Sequence, residues 1–206
     1  MANGANLDFY IRHGKEERYL EYKGAMIWAG NYTTKVKVAK AMMAMSNLRN
    51  GGVIVIGMKE IRRGVWEPDC MDVAQVASFS QDNIAQWVND YAFPAVQFTV
   101  EPLVLDGNKS VIIQVREFDD IPTICRKQKT SGGEALKPGA IYYRSRRKNE
   151  SAPIASEEDA RELITLAVRK GLAKEVSRLR ELGLVAPILE PQRVDALKYE
   201  EEREGL

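Results

Sequence analysis

Residues 47–60 read NLRNGGVIVIGMKE, and their order decides how the chain folds. Asn50-Gly51-Gly52 is a chain breaker, because glycine reaches backbone angles that end a helix and open a turn. The run Val53 to Ile56 that follows is apolar on both alternating faces, the pattern of a strand buried on two sides. Upstream, the spacing predicts a helix running to about Leu48, capped by Thr33 or Thr34, with Val36, Ala39, Met43 and Leu48 as its buried stripe. Before it, residues 16–23, EERYLEYK, predict a short strand with Glu21 and Lys23 on one face. The polar groups around these two strands are Glu16, Glu21, Lys23, Lys59 and Glu60. Together with a glycine bend they suit either metal-assisted phosphodiester chemistry or phosphate binding.

Working outward, residues 7–13 predict a short helix packing Leu7, Tyr10 and Ile11. The loop from Gly24 to Thr34 carries Trp28, Asn31 and Tyr32, which either line the cleft of the glutamates or cover the core. A strand around Gly64 to Trp66 is expected to pair with VIVIG across a charged turn, Glu60 to Arg63. Ser80 caps a helix that runs to Tyr91 and is ended by Phe93-Pro94. Residues 96–105 and 109–117 form a hairpin around Asp106-Gly107-Asn108. Two more strands, 121–125 and 140–146, are separated by Gly132-Gly133. The last helix begins at Ser156, with Asp159 placed as in a capping box and Glu157 and Glu158 at its positive end. It is expected to break at Gly171 and resume to Leu182. The result is an α+β fold, a single mixed-sheet domain flanked by helices over residues 1–170. A C-terminal helix and acidic tail follow over 171–206, with mobility predicted beyond Pro187.

The chain has 206 residues, 45% of them hydrophobic, and a formal net charge of +1. Apolar runs fall short of the roughly 18 residues that span a bilayer. The start, MANGANLDFY, lacks the basic-then-apolar order of a signal peptide, which predicts a cytoplasmic protein with reduced Cys70 and Cys125. One histidine, His13, and two distant cysteines exclude a zinc site of the Cys/His type; His13 reads as a helix-end residue.

Charge is unevenly spread. Between Ile121 and Glu150 there are eight basic and two acidic residues, whereas Pro187 to Leu206 holds three basic and six acidic. A basic segment beside an acidic tail points to a polyanionic partner. Its centre is IYYRSRRK, residues 141–148. Alternation places Tyr142, Arg144 and Arg146 on one face, with Arg147 and Lys148 following, while Tyr143 and Ser145 take the other. Tyrosine can stack on a base, and the arginine fork suits phosphate. Nothing here reads base edges, so backbone recognition with marked salt dependence is expected. The competing reading is an edge strand guarded by charge. Lys35, Lys37, Lys40 and Arg49 give the preceding helix a second basic face. Asn50, Gly51 and Gly52 either present N–H groups to a phosphate or cap that helix. Without GxxxxGK[ST] or GxGxxG, nucleotide hydrolysis has no sequence support.

The ordered set E-x4-E-x-K, N-x3-GG-x4-G and a distal Y-x-R resembles the Schlafen AlbA-like domain over roughly residues 7–170. It is carried by Glu16, Glu21 and Lys23, then Asn47, Gly51, Gly52 and Gly57, then Tyr142 and Arg144. The resemblance implies a nucleic-acid-binding (DNA- or RNA-binding) module, often attached to transcriptional regulators, and members have also been labelled ATP-binding. Some Schlafen proteins are endoribonucleases with three acidic residues. Two of these match Glu16 and Glu21 and the third falls near Glu60, a set that would hold Mg²⁺ or Mn²⁺ with Lys23 as a supporting catalytic cation. Three functions are therefore expected in order: a binding module that grips phosphates through its basic strand/loop face, a metal-dependent endoribonuclease, and a protein-interaction domain. The last would be a homo-oligomer paired through the amphipathic segment Leu172 to Leu189.

Overall fold

A computed structural model describes residues 7–28 and 32–184. The expectations placed on Asn31 and on the tail beyond Pro187 lie outside them. In chain order the elements are α1 (Leu7–His13), β1 (Leu20–Lys23), α2 (Tyr32–Ser46), β2 (Gly52–Ile56), β3 (Met58–Arg62), β4 (Val65–Pro68), α3 (Val73–Ser78) and α4 (Gln81–Tyr91). Then follow β5 (Ala92–Phe93), β6 (Phe98–Leu105), β7 (Asn108–Val115), β8 (Ile124–Cys125), β9 (Lys129–Ser131), β10 (Glu134–Leu136), β11 (Tyr142–Arg144), β12 (Ser151–Pro153) and α5 (Glu157–Glu181). The architecture is α+β. The described residues divide into two compact units between Val168 and Arg169.

In the first unit the central sheet has the order β1-β2-β7-β6, with β1 and β2 parallel and the other pairs antiparallel. Parallel neighbours need a crossover, and α2 supplies it between β1 and β2. Strand β2 explains its own sequence. Ile54 and Ile56 enter the cluster formed with α2, while Val53 and Val55 enter a second cluster with Leu20, Tyr22 and Ile112 on the other face. Each such side chain stabilises the fold by about 1.5–3 kcal/mol when fully buried. Helix α2 is enclosed more completely than a one-sided stripe allows: every residue from Ala41 to Leu48 is buried. The sheet covers one side, and β9, β10, β11 and β12 also pack against it.

Several local expectations are corrected. Thr33 and Thr34 do not cap α2; they lie inside it, and the Thr33 hydroxyl meets that of Ser131 at 3.0 Å. Strand β3 runs through Glu60 to Arg62, most of the turn expected over Glu60 to Arg63, and β4 pairs with β3, not with VIVIG. The cause is Gly57, whose φ of 95° bends the chain between β2 and β3, so the apolar run and the charged run become separate strands. Helix α3 was not signalled by apolar spacing; its Asp72/Gln75 capping box defines it. Helix α5 runs through Gly171 without a break, since an internal glycine costs a long helix only about 1 kcal/mol.

Other signals hold. The Ser80 hydroxyl caps α4, and the Ser156 hydroxyl accepts from the Asp159 amide at 3.1 Å. Asp106-Gly107 turns the β6–β7 hairpin with both residues at positive φ. Cys125 is buried and Cys70 exposed. Among the described residues, no helix is long and apolar enough to cross a membrane. In the second unit, residues 169–184 continue α5 and close it with the Gly183 and Leu184 amides donating to Arg180 and Leu179 carbonyls.

Candidate nucleic-acid interface

Two strands distant in sequence create the polar centre. Strand β1 offers Glu21 and Lys23 on one face, as period-2 alternation requires, and β11 delivers Arg144 opposite them. Arg144 is fully buried. Its Nε donates to the Arg18 carbonyl at 2.8 Å and its Nη2 to the Glu17 carbonyl at 3.1 Å. Its Nη1 pairs with one Glu21 oxygen, and the Lys23 ammonium pairs with the other. Glu16 accepts from the Tyr22 amide at 3.0 Å. Burial, the larger effect, and the Glu21 charge beside it raise the Glu16 pKa. These groups line an open groove of about 240 Å³ together with Lys37, Lys40 and Glu134. Lys40 donates to Glu134 at 2.6 Å, and that bond holds the Glu134 pKa below the usual carboxylate value.

Arg144 and Tyr142 therefore do not face a phosphate. The Tyr142 hydroxyl donates to the Ala135 carbonyl at 3.1 Å and accepts from the Lys137 amide at 3.0 Å. Both faces of β11 are buried, so alternation along IYYRSRRK does not separate a wet face from a dry one. Beyond β11 the chain emerges. Arg146 and Arg147 have side chains 69% and 81% exposed, paired with Glu162 and Glu158 respectively at 3.1 Å. Lys148 is exposed.

The three glutamates do not form one site. Glu60 sits on β3, where its carboxylate accepts from the Gly64 amide at 2.7 Å, and it does not line the groove. Glu21 has both oxygens committed to cations. Among the described residues, no group of three His, Cys, Asp or Glu is arranged to hold a metal ion. Glu16, Glu21 and Glu60 thus do not fit Mg²⁺ or Mn²⁺ as a shared ligand set, and no catalytic step follows from Lys23.

The glycine bend is likewise occupied. The Asn50 amide donates to the Glu117 carboxylate at 2.7 Å, and the Gly51 amide to the Leu48 carbonyl at 3.0 Å. A Cβ on Gly51 would lie 2.0 Å from the Val115 carbonyl oxygen, so glycine is required by close backbone approach. Gly52 is buried at the start of β2. Asn50, Gly51 and Gly52 act as a helix-to-strand joint in which the Asn50 and Gly51 N–H groups already have acceptors.

Asn47 carries more than the sequence suggested. Fully buried, its amide donates to the Thr123 and Tyr142 carbonyls at 2.9 and 3.0 Å and accepts from the Thr123 amide at 2.7 Å. It stitches the end of α2 to β11. Trp28, one of two aromatics left open between cleft and core, is buried and packs edge-on to Trp87 with centroids 6.0 Å apart.

Residues 16–153 match the family described as Schlafen, AlbA_2. This chain belongs to that family. The match takes in β1, α2, β10 and β11, which are elements that build the groove. Membership supports a nucleic-acid-related role. No curated protein matches the chain. Among solved structures, the DIP2311 protein from Corynebacterium diphtheriae is 13% identical with a TM-score of 0.46, covering 77% of this chain but 27% of that one. The chain thus spans about a quarter of that protein's length. The N-terminal domain of an ATP-dependent DNA helicase RecG-related protein from Nitrosomonas europaea is 18% identical with a TM-score of 0.44, covering 76% of this chain and 92% of that domain.

Proposed function

We propose that this chain is a nucleic-acid-binding module that grips the phosphate backbone through the basic residues between Arg126 and Lys148, without chemistry of its own. One observation carries the reading. Arg126, Lys129, Lys137 and Lys148 have no ion-pair partner among the described residues, whereas both Glu21 oxygens are paired with cations and Glu60 lies apart from the groove. Arg146 and Arg147 belong to the same surface. An exposed ion pair is worth only about 0–1 kcal/mol, so phosphates can draw both arginines away from Glu162 and Glu158. Arg144 and Tyr142 support the face from beneath. Recognition of this kind has no base-edge component, and regulation would come from whatever the module is joined to.

The test is the salt dependence of binding to labelled oligonucleotides. Replacing Arg146, Arg147 and Lys148 with alanine should weaken binding to all sequences alike. It should also flatten the slope of log affinity against log salt by about 0.7–0.9 for each phosphate no longer neutralised. An unchanged slope would move the interface elsewhere. Metal-dependent cleavage by the wild type that disappears in Glu16→Ala would restore the nuclease reading.

A second reading, self-association through α5, is favoured by a separate observation. Leu172 and Val176 are 61% and 36% exposed one turn apart on α5. Light scattering that reports a monomer at every concentration would remove it.

A further inference from the structure

Among the described residues, the largest aromatic cluster lies beside a cleft that shares no lining residue with the groove. This cleft, a cavity of about 630 Å³, is lined by Trp28, Lys35, Asn83, Gln86, Trp87 and Asp90, with Ala77 and Ser78. Its volume falls within the roughly 300–1,000 Å³ of small-molecule pockets. Trp28 forms a buried wall. Trp87, projecting from α4, is half-buried and meets Trp28 edge to face at 89° and Tyr91 at 4.8 Å between centroids. A tryptophan left half-wet beside a cleft is held in place by its aromatic neighbours without being covered by them.

Cations surround these rings. The Lys35 ammonium lies 5.3 Å from the Trp28 centroid and 5.7 Å from that of Tyr32. Tyr32 is 52% exposed, and the Lys129 ammonium lies 4.3 Å from its centroid. Lys127 pairs with Asp90, and the Arg126 amide donates to the Tyr91 carbonyl at 2.7 Å. The proposed backbone-binding stretch thus reaches the aromatic cleft through Lys127, paired with the lining residue Asp90, and through Lys129 on the Tyr32 ring beside Lys35. Asn83 and Gln86 add side-chain amides, each able to donate and accept along a planar heteroaromatic edge.

We propose that this cleft takes one unstacked base of a single-stranded nucleic acid. The base packs against Trp87, with Lys35 and Lys129 on the flanking phosphates. The inference rests on the backbone-binding reading and deepens it by naming the strand type. Stacking platforms joined to basic tracks are the physical basis of single-strand binding, because every base has a π-face. A duplex keeps its bases stacked inside and cannot offer one to a recessed ring.

The test uses the full chain and four labelled 12-nucleotide ligands: single-stranded DNA, single-stranded RNA, an abasic strand and a duplex. Fluorescence anisotropy and tryptophan quenching are read together. The wild type should bind at least one base-bearing single strand about tenfold or more tighter than the abasic strand. Trp87→Ala should lose that advantage and the quenching while keeping the salt slope, and Trp87→Phe should retain much of both. Because Trp87 packs on its neighbours, Ala77→Trp at an exposed lining position gives a variant that blocks the cleft without removing a packed ring. It should lose the advantage too. Equal affinity of the wild type for base-bearing and abasic strands, or unchanged binding by a folded Ala77→Trp, would overturn the cleft while leaving backbone binding intact. No binding to any of the four would remove both.

Discussion

Replacing Arg144 with methionine tests whether this residue supports the interface or belongs to it. Methionine keeps most of the apolar stem but none of the donors. The variant removes the Arg144 donors to one Glu21 oxygen, to the Arg18 and Glu17 carbonyls and to the Ser151 hydroxyl at 3.4 Å, while the Leu20 amide still serves the Glu17 carbonyl at 3.0 Å and the Ser151 hydroxyl still reaches that Glu21 oxygen at 3.4 Å. An unsatisfied buried polar group costs about 1–3 kcal/mol, and removing one partner of a buried ion pair about 3–5 kcal/mol. Lys23 stays on Glu21, whose side chain is 11% exposed, so the costs do not simply add and a loss of about 3–5 kcal/mol is expected. For a protein of ordinary stability, about 5–15 kcal/mol, that is about a fifth or more of the total. It should lower Tm by roughly 10 °C, at about 2–4 °C per kcal/mol for a chain this size. Urea denaturation followed by circular dichroism should show a lower midpoint at unchanged slope. Arg144→Lys should recover only part, because one ammonium cannot serve the carboxylate and both carbonyls. Arg146→Met, on an exposed arginine, should change stability by less than about 0.5 kcal/mol. The reasoning fails if Arg144→Met costs under about 1 kcal/mol while weakening nucleic-acid binding as strongly as Arg146 and Arg147 substitutions do.

Two further outcomes follow from the geometry. The Glu162 carboxylate, held first by its hydrogen bonds from Arg18 and then by Arg146, has its pKa lowered to about 2. A depressed acid stabilises the fold above its unfolded pKa of about 4.3 and loses that contribution as pH falls toward the folded value. Glu162→Gln should therefore flatten the decline of the urea midpoint between about pH 4.5 and 2; a decline as steep as wild type would show the pair contributes nothing. Gly51 and Gly64 both have positive φ, 74° and 75°, but a Cβ on Gly64 meets nothing within 4 Å whereas one on Gly51 meets the Val115 carbonyl oxygen at 2.0 Å. Each alanine should cost about 1–2 kcal/mol for left-handed backbone, and Gly51→Ala distinctly more. Equal losses would mean the β7 backbone yields.

Much of the fold was legible because it depends on short-range rules. VIVIG reads as a strand covered on both faces, Ser80 and Ser156 mark helix starts, and Asp106-Gly107 marks a hairpin, each from a few adjacent residues. Expectations failed where a local pattern had two solutions. A glycine at position 57 could sit within a strand or divide two, and the divided form prevails because a positive φ turns the charged residues 58–62 onto their own hairpin with β4. Gly171 could break α5 or be tolerated, and the long helix tolerates it.

The chemical identity of the groove was set by the sequence in kind but not in role. Alternation correctly places Glu21 beside Lys23. It cannot say that Arg144, 123 positions after Glu21, arrives buried on the second Glu21 oxygen, because that requires β1 and β11 to be brought together around α2. The same limit hid the Trp28–Trp87 cleft, whose walls come from a loop after β1 and from α4. It also hid the separation of Glu60 from the other glutamates. Residue type and period fix what a side chain can do, whereas only the packed chain decides which charges are solvated, which are spent on one another, and which rings stay open to a ligand. The reason is that burial and pairing depend on contacts between segments whose separation in sequence carries no local signal.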